Sequence, residues 1–144
     1  MILVSVRLGM NQIPNDYFPA IRAFFENRLN VGVIGGRPKE AFYLVGIQGE
    51  HMIYLDPHTT LDAVPFDMKL IQESYLTYHE TQAKKIHFSK LDPCMTLGFL
   101  LKSQGDFEEF QTFIKVSKER FGENSLFGHM ETKPDYAKSG SPSK

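Results

Sequence analysis

The stretch AFYLVGIQGEHMIYLDPHTT, residues 41–60, holds two apolar runs on either side of a short polar turn. Ala41–Ile47 and His51–Leu55 are rich in aromatic and aliphatic residues. Gln48-Gly49-Glu50 between them supplies turn chemistry, so the segment predicts a β-hairpin. Directly after the second run comes Asp56-Pro57-His58. On an extended backbone, residues i and i+2 project from the same face, about 6.6 Å apart at their Cα atoms. A carboxylate so placed can accept the imidazole N–H, fix its tautomer and stabilise the imidazolium. General base catalysis by such a histidine is worth about 10²–10⁴ in rate. The same tripeptide also reads as a strand end followed by a turn, with Asp56 capping backbone amides and His58 half exposed.

Upstream of this hairpin, Ile2–Leu8 has the composition of a strand, interrupted by Ser5 and Arg7. Asn15 or Asp16 is placed to cap a helix running to about Asn27, with Pro19 tolerated in its first turn and Ile21, Phe24, Phe25 and Leu29 forming an apolar stripe. Val31-Gly-Val-Ile-Gly-Gly-Arg-Pro38 then reads as a glycine-rich loop. Downstream, residues 61–85 are polar and punctuated and read as loop. Leu91-Asp-Pro-Cys94 has the form of a helix start, with Asp92 as cap and Pro93 at the first helical position, and Met95–Leu101 as a short helix passing into a strand. Asp106–Phe121 is the clearest helical pattern, with Phe107, Phe110, Phe113, Ile114 and Ser117 on or near one face. Residues 128–144, ending SGSPSK, have the composition of a disordered tail.

The bulk properties narrow the function classes. A chain of 144 residues is one domain by length and large enough for a real core. Twelve Phe, six Tyr and no Trp predict an aromatic-rich interior. A net charge of −1 offers no electrostatic handle for nucleic acid or an anionic membrane surface. No apolar stretch approaches the roughly 20 residues of a transmembrane helix, and Arg7 breaks the opening run before it resembles a signal peptide. A single cysteine rules out an internal disulfide framework and fits a reducing compartment, so a cytoplasmic location is expected.

Other candidate chemistry is weaker. The glycine-rich segment lacks both the Lys-Ser/Thr ending of a P-loop and the spacing of a dinucleotide fold. Its glycines suit either a mobile flap over a cleft or a plain helix-to-strand connection. Histidines 51, 58, 79, 87 and 129 show no metal-ligand spacing and Cys94 has no cysteine companion, so no metal and no cofactor is expected. Cys94, placed in a first helical turn, would feel the helix dipole and favour thiolate; it reads more readily as a small packing residue, as most lone cysteines are.

Taken in order, Leu3-Val-Ser-Val-Arg-Leu-Gly9, Gly32-Val-Ile-Gly-Gly-Arg-Pro38, Ile53-Tyr-Leu-Asp-Pro-His-Thr-Thr60, Leu91-Asp-Pro93 with Leu97-Gly-Phe99, and Asp106-Phe107 resemble the C-terminal half of the autophagins, the autophagy-related cysteine peptidases. The resemblance covers roughly residues 2–121. It implies an α+β, partial papain-like cysteine peptidase fold, an antiparallel sheet with flanking helices, over residues 1–127. It also implies that Asp56 and His58 are the catalytic pair. Val31, Gly32, Val33, Ile34, Gly35, Gly36, Arg37 and Pro38 would form the family's regulatory loop, covering the active-site entrance and lifting when substrate enters. The expected substrate is a ubiquitin-like autophagy modifier, cut after its C-terminal glycine either as free precursor or as the conjugate with phosphatidylethanolamine.

One departure from the family pattern counts against activity of the chain alone. The family's nucleophilic cysteine, its oxyanion donor and part of its substrate groove lie upstream of the strand that opens this sequence. Cys94 falls at a position where the family carries a small structural residue, usually Ser. The expectation is therefore an Asp–His half that needs its nucleophile from elsewhere, for instance from a second chain. The alternative is a non-catalytic binding or regulatory module for the modifier or for a full-length relative.

Overall fold

The computed structural model of the chain describes residues 1–60, 62–64, 78–128, 130 and 132. Its strands are β1 (Ile2–Arg7), β2 (Asn30–Arg37), β3 (Glu40–Gln48), β4 (His51–Leu55), β5 (Lys84–His87) and β6 (Cys94–Phe99), and its helices are α1 (Phe18–Glu26) and α2 (Gln104–Phe121). The strands form one sheet in the order β1-β6-β2-β3-β4-β5. Every neighbouring pair is antiparallel. This is the expected α+β architecture, and the hairpin expected at residues 41–55 is formed by β3 and β4.

Period-two alternation sends one side chain of each pair to the helices. Val4 pairs with Leu97 and Leu97 with Val33; Val33 in turn pairs with Leu44. Leu97 and Leu44 are fully buried and Val33 nearly so. Burying such a side chain contributes about 1.5–3 kcal/mol relative to exposure. Above this row lies the aromatic interior that the composition predicts. Phe99 of β6 meets Phe24 of α1 edge-on at 5.1 Å and Phe110 of α2 at 4.9 Å, so one strand residue joins both helices to the sheet. Phe18 stacks on Phe88 at 4.4 Å and Phe127 packs beside Phe99 and Phe113.

Several local expectations need correction. Val31–Arg37 is not a loop but most of β2, paired with β3 from Val33 to Arg37 and with β6 at Val33 and Ile34. Its glycines are accommodated because they avoid side-chain collisions: a Cβ on Gly32, at φ +94°, would stand 2.6 Å from the Tyr43 ring. Asp92-Pro93-Cys94 starts no helix. Asp92 Oδ1 accepts the Cys94 N–H at 2.8 Å in a turn that launches β6, where Met95, Leu97 and Phe99 alternate inward with period two. Asn15 and Asp16 lie in a separate single turn, Asn15–Tyr17, ahead of α1, so neither caps that helix. Lys84 and Lys85, the first two residues of β5, fall at the end of the part read as loop. Phe107 is 40% exposed while Phe110 and Ser117 are buried. The tail expected to be disordered lies, beyond Gly128, Met130 and Thr132, outside the described residues.

Helix α2 begins in a capping box: Ser103 Oγ accepts the Asp106 N–H at 3.1 Å and Asp106 Oδ2 accepts the Ser103 N–H at 3.1 Å. Asp106 also accepts from the Lys102 N–H at 2.8 Å and from Arg28 Nη2 at 2.7 Å. The Lys102 amide, then the Arg28 guanidinium and the Ser103 group, hold the Asp106 carboxyl down to about 2. A carboxyl depressed on folding stabilises the fold above its ordinary value, and the contribution is lost as pH falls through the folded value. Replacing Asp106→Asn is therefore expected to lower the melting temperature at neutral pH. The gap from wild type should close as pH falls from about 4 to about 2, which thermal melts followed by circular dichroism would check. Ser103→Ala is expected to cost about 1 kcal/mol at neutral pH.

Candidate active site

Strand β4 ends at Leu55, and Asp56 is the first residue beyond it. There the chain turns, and Asp56 Oδ1 accepts two hydrogen bonds from His58, from its backbone N–H at 3.0 Å and from ring Nδ1 at 2.7 Å. The ring bond fixes the tautomer: a neutral imidazole that donates from Nδ1 leaves the Nε2 lone pair as acceptor. Nε2 has no hydrogen-bond partner among the described residues. The backbone bond is the turn chemistry that Asp-Pro favours. One carboxylate oxygen thus serves both the turn and the imidazole.

The imidazole is held from a third side by the edge of Phe42, with ring centroids 6.0 Å apart, and Phe42 is itself stacked on Tyr54 at 4.2 Å. The other carboxylate oxygen, Oδ2, lies 3.5 Å from Lys84 Nζ of β5. The His58 amide, then the His58 ring, hold the Asp56 carboxyl below its ordinary value; partial burial opposes them and the Lys84 charge assists. Asp56 is therefore ionised across the physiological range, as a carboxylate that stabilises an imidazolium must be.

His58 faces an open cleft of about 840 Å³ whose lining includes Arg7, Ile34, Gly36, Cys94 and Thr96. Of the glycine-rich segment, Ile34, Gly35, Gly36 and Arg37 line this cleft, whereas Val33 is buried in the core, Gly32 sits beneath Tyr43, and the Val31 carbonyl accepts from the Tyr43 hydroxyl. Pro38 lies in the β2–β3 turn. There Arg37 Nε and Glu40 Oε2 pair at 2.7 Å and Lys39 takes φ 75°. The Leu91-Asp-Pro93 motif is stitched to the same wall: the Asp92 N–H donates to the Gly36 carbonyl at 2.8 Å and the Leu8 N–H to the Pro93 carbonyl at 2.9 Å.

Sequence reasoning missed one neighbour of the pair and put Cys94 on the wrong kind of element. Lys84 lies far from Asp56 in the chain and becomes its neighbour only through β4–β5 pairing. Cys94 is exposed and shares the cleft with His58, opposite Arg7 in the β1–β6 register. As a strand residue it lacks the helix dipole that a first-turn thiol would feel. Among the described residues no three His, Cys, Asp or Glu side chains converge on a metal-sized site.

Sequence comparison relates the chain to known proteins. Residues 1–113 match the sequence model of the peptidase C54 catalytic domain. The chain is 38% identical over 114 residues to the probable cysteine protease atg4 of Aspergillus oryzae, covering 77% of this chain and 28% of that protein. It is 38% identical over 117 residues to the probable cysteine protease ATG4 of Coccidioides immitis, covering 80% of this chain and 27% of that protein. With the cysteine protease ATG4B of Xenopus laevis the identity is 39% over 117 residues, covering 80% of this chain and 30% of that protein. The chain thus spans less than a third of the length of these curated relatives.

Two outcomes follow from the geometry. His58→Ala removes the ring bond but keeps the backbone N–H, the larger influence on Asp56. The Asp56 carboxyl, followed by carbon-detected NMR titration, should stay below its ordinary value in that variant; a full return would mean the ring alone depresses it. Gly36 stands at φ +154°, and a Cβ there would approach the Glu40 carbonyl to 2.0 Å. Gly36→Ala is expected to destabilise the chain by roughly 1–3 kcal/mol in urea denaturation through backbone strain.

Proposed function

The chain belongs to the peptidase C54 family, and from that premise we propose that it supplies the Asp–His pair of a cysteine endopeptidase acting on a ubiquitin-like autophagy modifier. The observation that carries this reading is the Asp56–His58 bond at 2.7 Å, which leaves Nε2 without a partner among the described residues beside an open cleft. In the proposed reaction, Nε2 takes the proton of a cysteine thiol and the thiolate attacks the carbonyl carbon of the modifier's C-terminal glycine. The imidazolium then protonates the departing amine, and water releases the modifier from the thioester. The departing amine belongs either to the precursor's extension or to phosphatidylethanolamine. Neither metal nor organic cofactor is needed for these steps.

The nucleophile and the oxyanion donor are assigned to a further stretch of polypeptide, on a longer or a second chain. The sheet face turned away from the helices supports this, since it exposes Leu3 (54%), Ile34 (55%), Tyr43 (43%) and Leu55 (40%). Ile34 pairs with Tyr43 and Tyr43 with Leu55, which makes a continuous apolar row across three strands leading to Asp56. A row of that kind suits a covering layer of polypeptide. Cys94 is not assigned the role: it sits on an extended strand and its N–H donates to Asp92, not to His58.

The regulatory role of Val31–Pro38 is confined in this reading to its far end. Pairing of β2 with β6 stops at Ile34, so beyond it the hairpin end is tied to the neighbouring segment by the Asp92–Gly36 bond. Lifting that end over the cleft mouth costs little of the sheet. Residues 1–127 are assigned to the peptidase part. A cytoplasmic location accords with a substrate class handled there; among the described residues no helix is long and apolar enough to cross a membrane.

A modifier extended beyond its terminal glycine provides the test. The chain alone is expected to leave it uncut. Addition of the nucleophile-bearing N-terminal part of a family member is expected to give cleavage. That cleavage should fall by roughly 10²–10⁴ with His58→Ala and stay unchanged with Cys94→Ala. Saturable binding without cleavage in either arm would replace this reading by a non-catalytic module. Cleavage by the chain alone, abolished by Cys94→Ala, would make Cys94 the nucleophile.

A further inference from the structure

Strand β5 carries no chemical signature, yet cross-strand pairing sets Lys84 opposite Tyr54, two residues before Asp56. Lys84 Nζ lies 3.5 Å from Asp56 Oδ2, while Oδ1 accepts from the backbone N–H and the ring Nδ1 of His58. The two carboxylate oxygens therefore face different partners, one in the turn after β4 and one on β5. We infer that Lys84 is a positioning residue for the Asp56–His58 pair: its ammonium holds the outer carboxylate oxygen so that the inner one stays aimed at His58 Nδ1.

The physical reason is torsional. Rotation of a carboxylate about its terminal bond is soft, with broad and roughly two-fold wells. A carboxylate engaged at one oxygen only can swing away from the imidazole without crossing a steep barrier. A cation at the second oxygen makes the aligned rotamer the one that satisfies both ends. The remaining charges facing Asp56 do not duplicate this. Arg37 and Glu40, from the β2–β3 hairpin, pair with each other at 2.7 Å, and their charges largely offset at the distance of Asp56. Among the described residues, Lys84 is the cation outside that turn that stands within ion-pair distance of Asp56. The side chain is 42% exposed, so its influence is expected to weaken with added salt. Lys85, the next residue, is exposed, pairs with Ile53, and alternates to the other side of the strand, which makes it the natural control.

This inference rests on the reading of Asp56 and His58 as a catalytic pair, and its test separates the two. In the full chain, the Asp56 side-chain carboxyl is followed by carbon-detected NMR through acid pH. Removing a cation disfavours the carboxylate, so Lys84→Met should move its midpoint upward and Lys84→Arg should return it. Lys85→Met should leave it in place, and added salt should shrink the Lys84 effect. Lys84→Gln repeats the measurement with a polar side chain. No upward movement in either neutral variant, or an equal movement with Lys85→Met, overturns the inference without touching the catalytic reading. In the complemented enzyme, Lys84→Met should lower kcat/KM by roughly two- to fivefold, restored by Lys84→Arg. Turnover unaffected by Lys84→Met would also overturn it, whereas turnover unaffected by His58→Ala would overturn the catalytic reading beneath it.

Discussion

The structure depends on the insertion of β6 between β1 and β2. These three strands come from distant parts of the chain, and Leu97, with no exposed surface, pairs with Val4 on one side and Val33 on the other. Without that strand, β1 would have no partner and the β2–β3–β4 hairpins would end in an open edge at β2. The same strand carries Phe99, through which α1 and α2 are packed on the sheet. It also brings Cys94 and Thr96 into the cleft wall facing His58. Core and site are therefore two faces of one pairing decision.

From that frame the site follows by short, local steps. The β3–β4 hairpin delivers Asp56 at the end of a strand, Pro57 turns the chain, and His58 turns its backbone N–H and its ring Nδ1 to one carboxylate oxygen. Backbone and ring bonds act together, so the turn that shapes the loop also orders the imidazole. The stack of Phe42 on Tyr54, with the His58 edge beside it, limits the ring's rotation from the core side. The arrangement leaves Nε2 without a partner among the described residues, beside a sheet face that carries an exposed apolar row.

Much of this was legible in the residues. The paired apolar runs around Gln48-Gly49-Glu50 marked the hairpin, the α2 pattern marked its helix, and Asp56-Pro57-His58 marked a carboxylate and an imidazole on one side of the chain. The glycine-rich stretch was misleading because glycine signals freedom when read alone. In the sheet the same glycines answer a need for space, with Tyr43 occupying the volume a side chain on Gly32 would fill. Asp92-Pro93 misled for a similar reason: an Asp that bonds the amide two residues on serves a helix start and a strand start equally, and only the pairing of Cys94–Phe99 on both sides decided between them.

The sequence by itself determined the local chemistry: strand and helix periodicities, the turn at Gly49, the aromatic interior, and the neighbouring Asp56 and His58. These are set by interactions within a few residues, and a linear reading captures them. The tertiary structure alone decided that β2 is a strand, that Cys94 shares a cleft with His58, and that Lys84 completes the surroundings of Asp56. Each of these rests on pairing between segments far apart in the chain. Register across a sheet is fixed by burial of one whole face and not by the residues of any single strand.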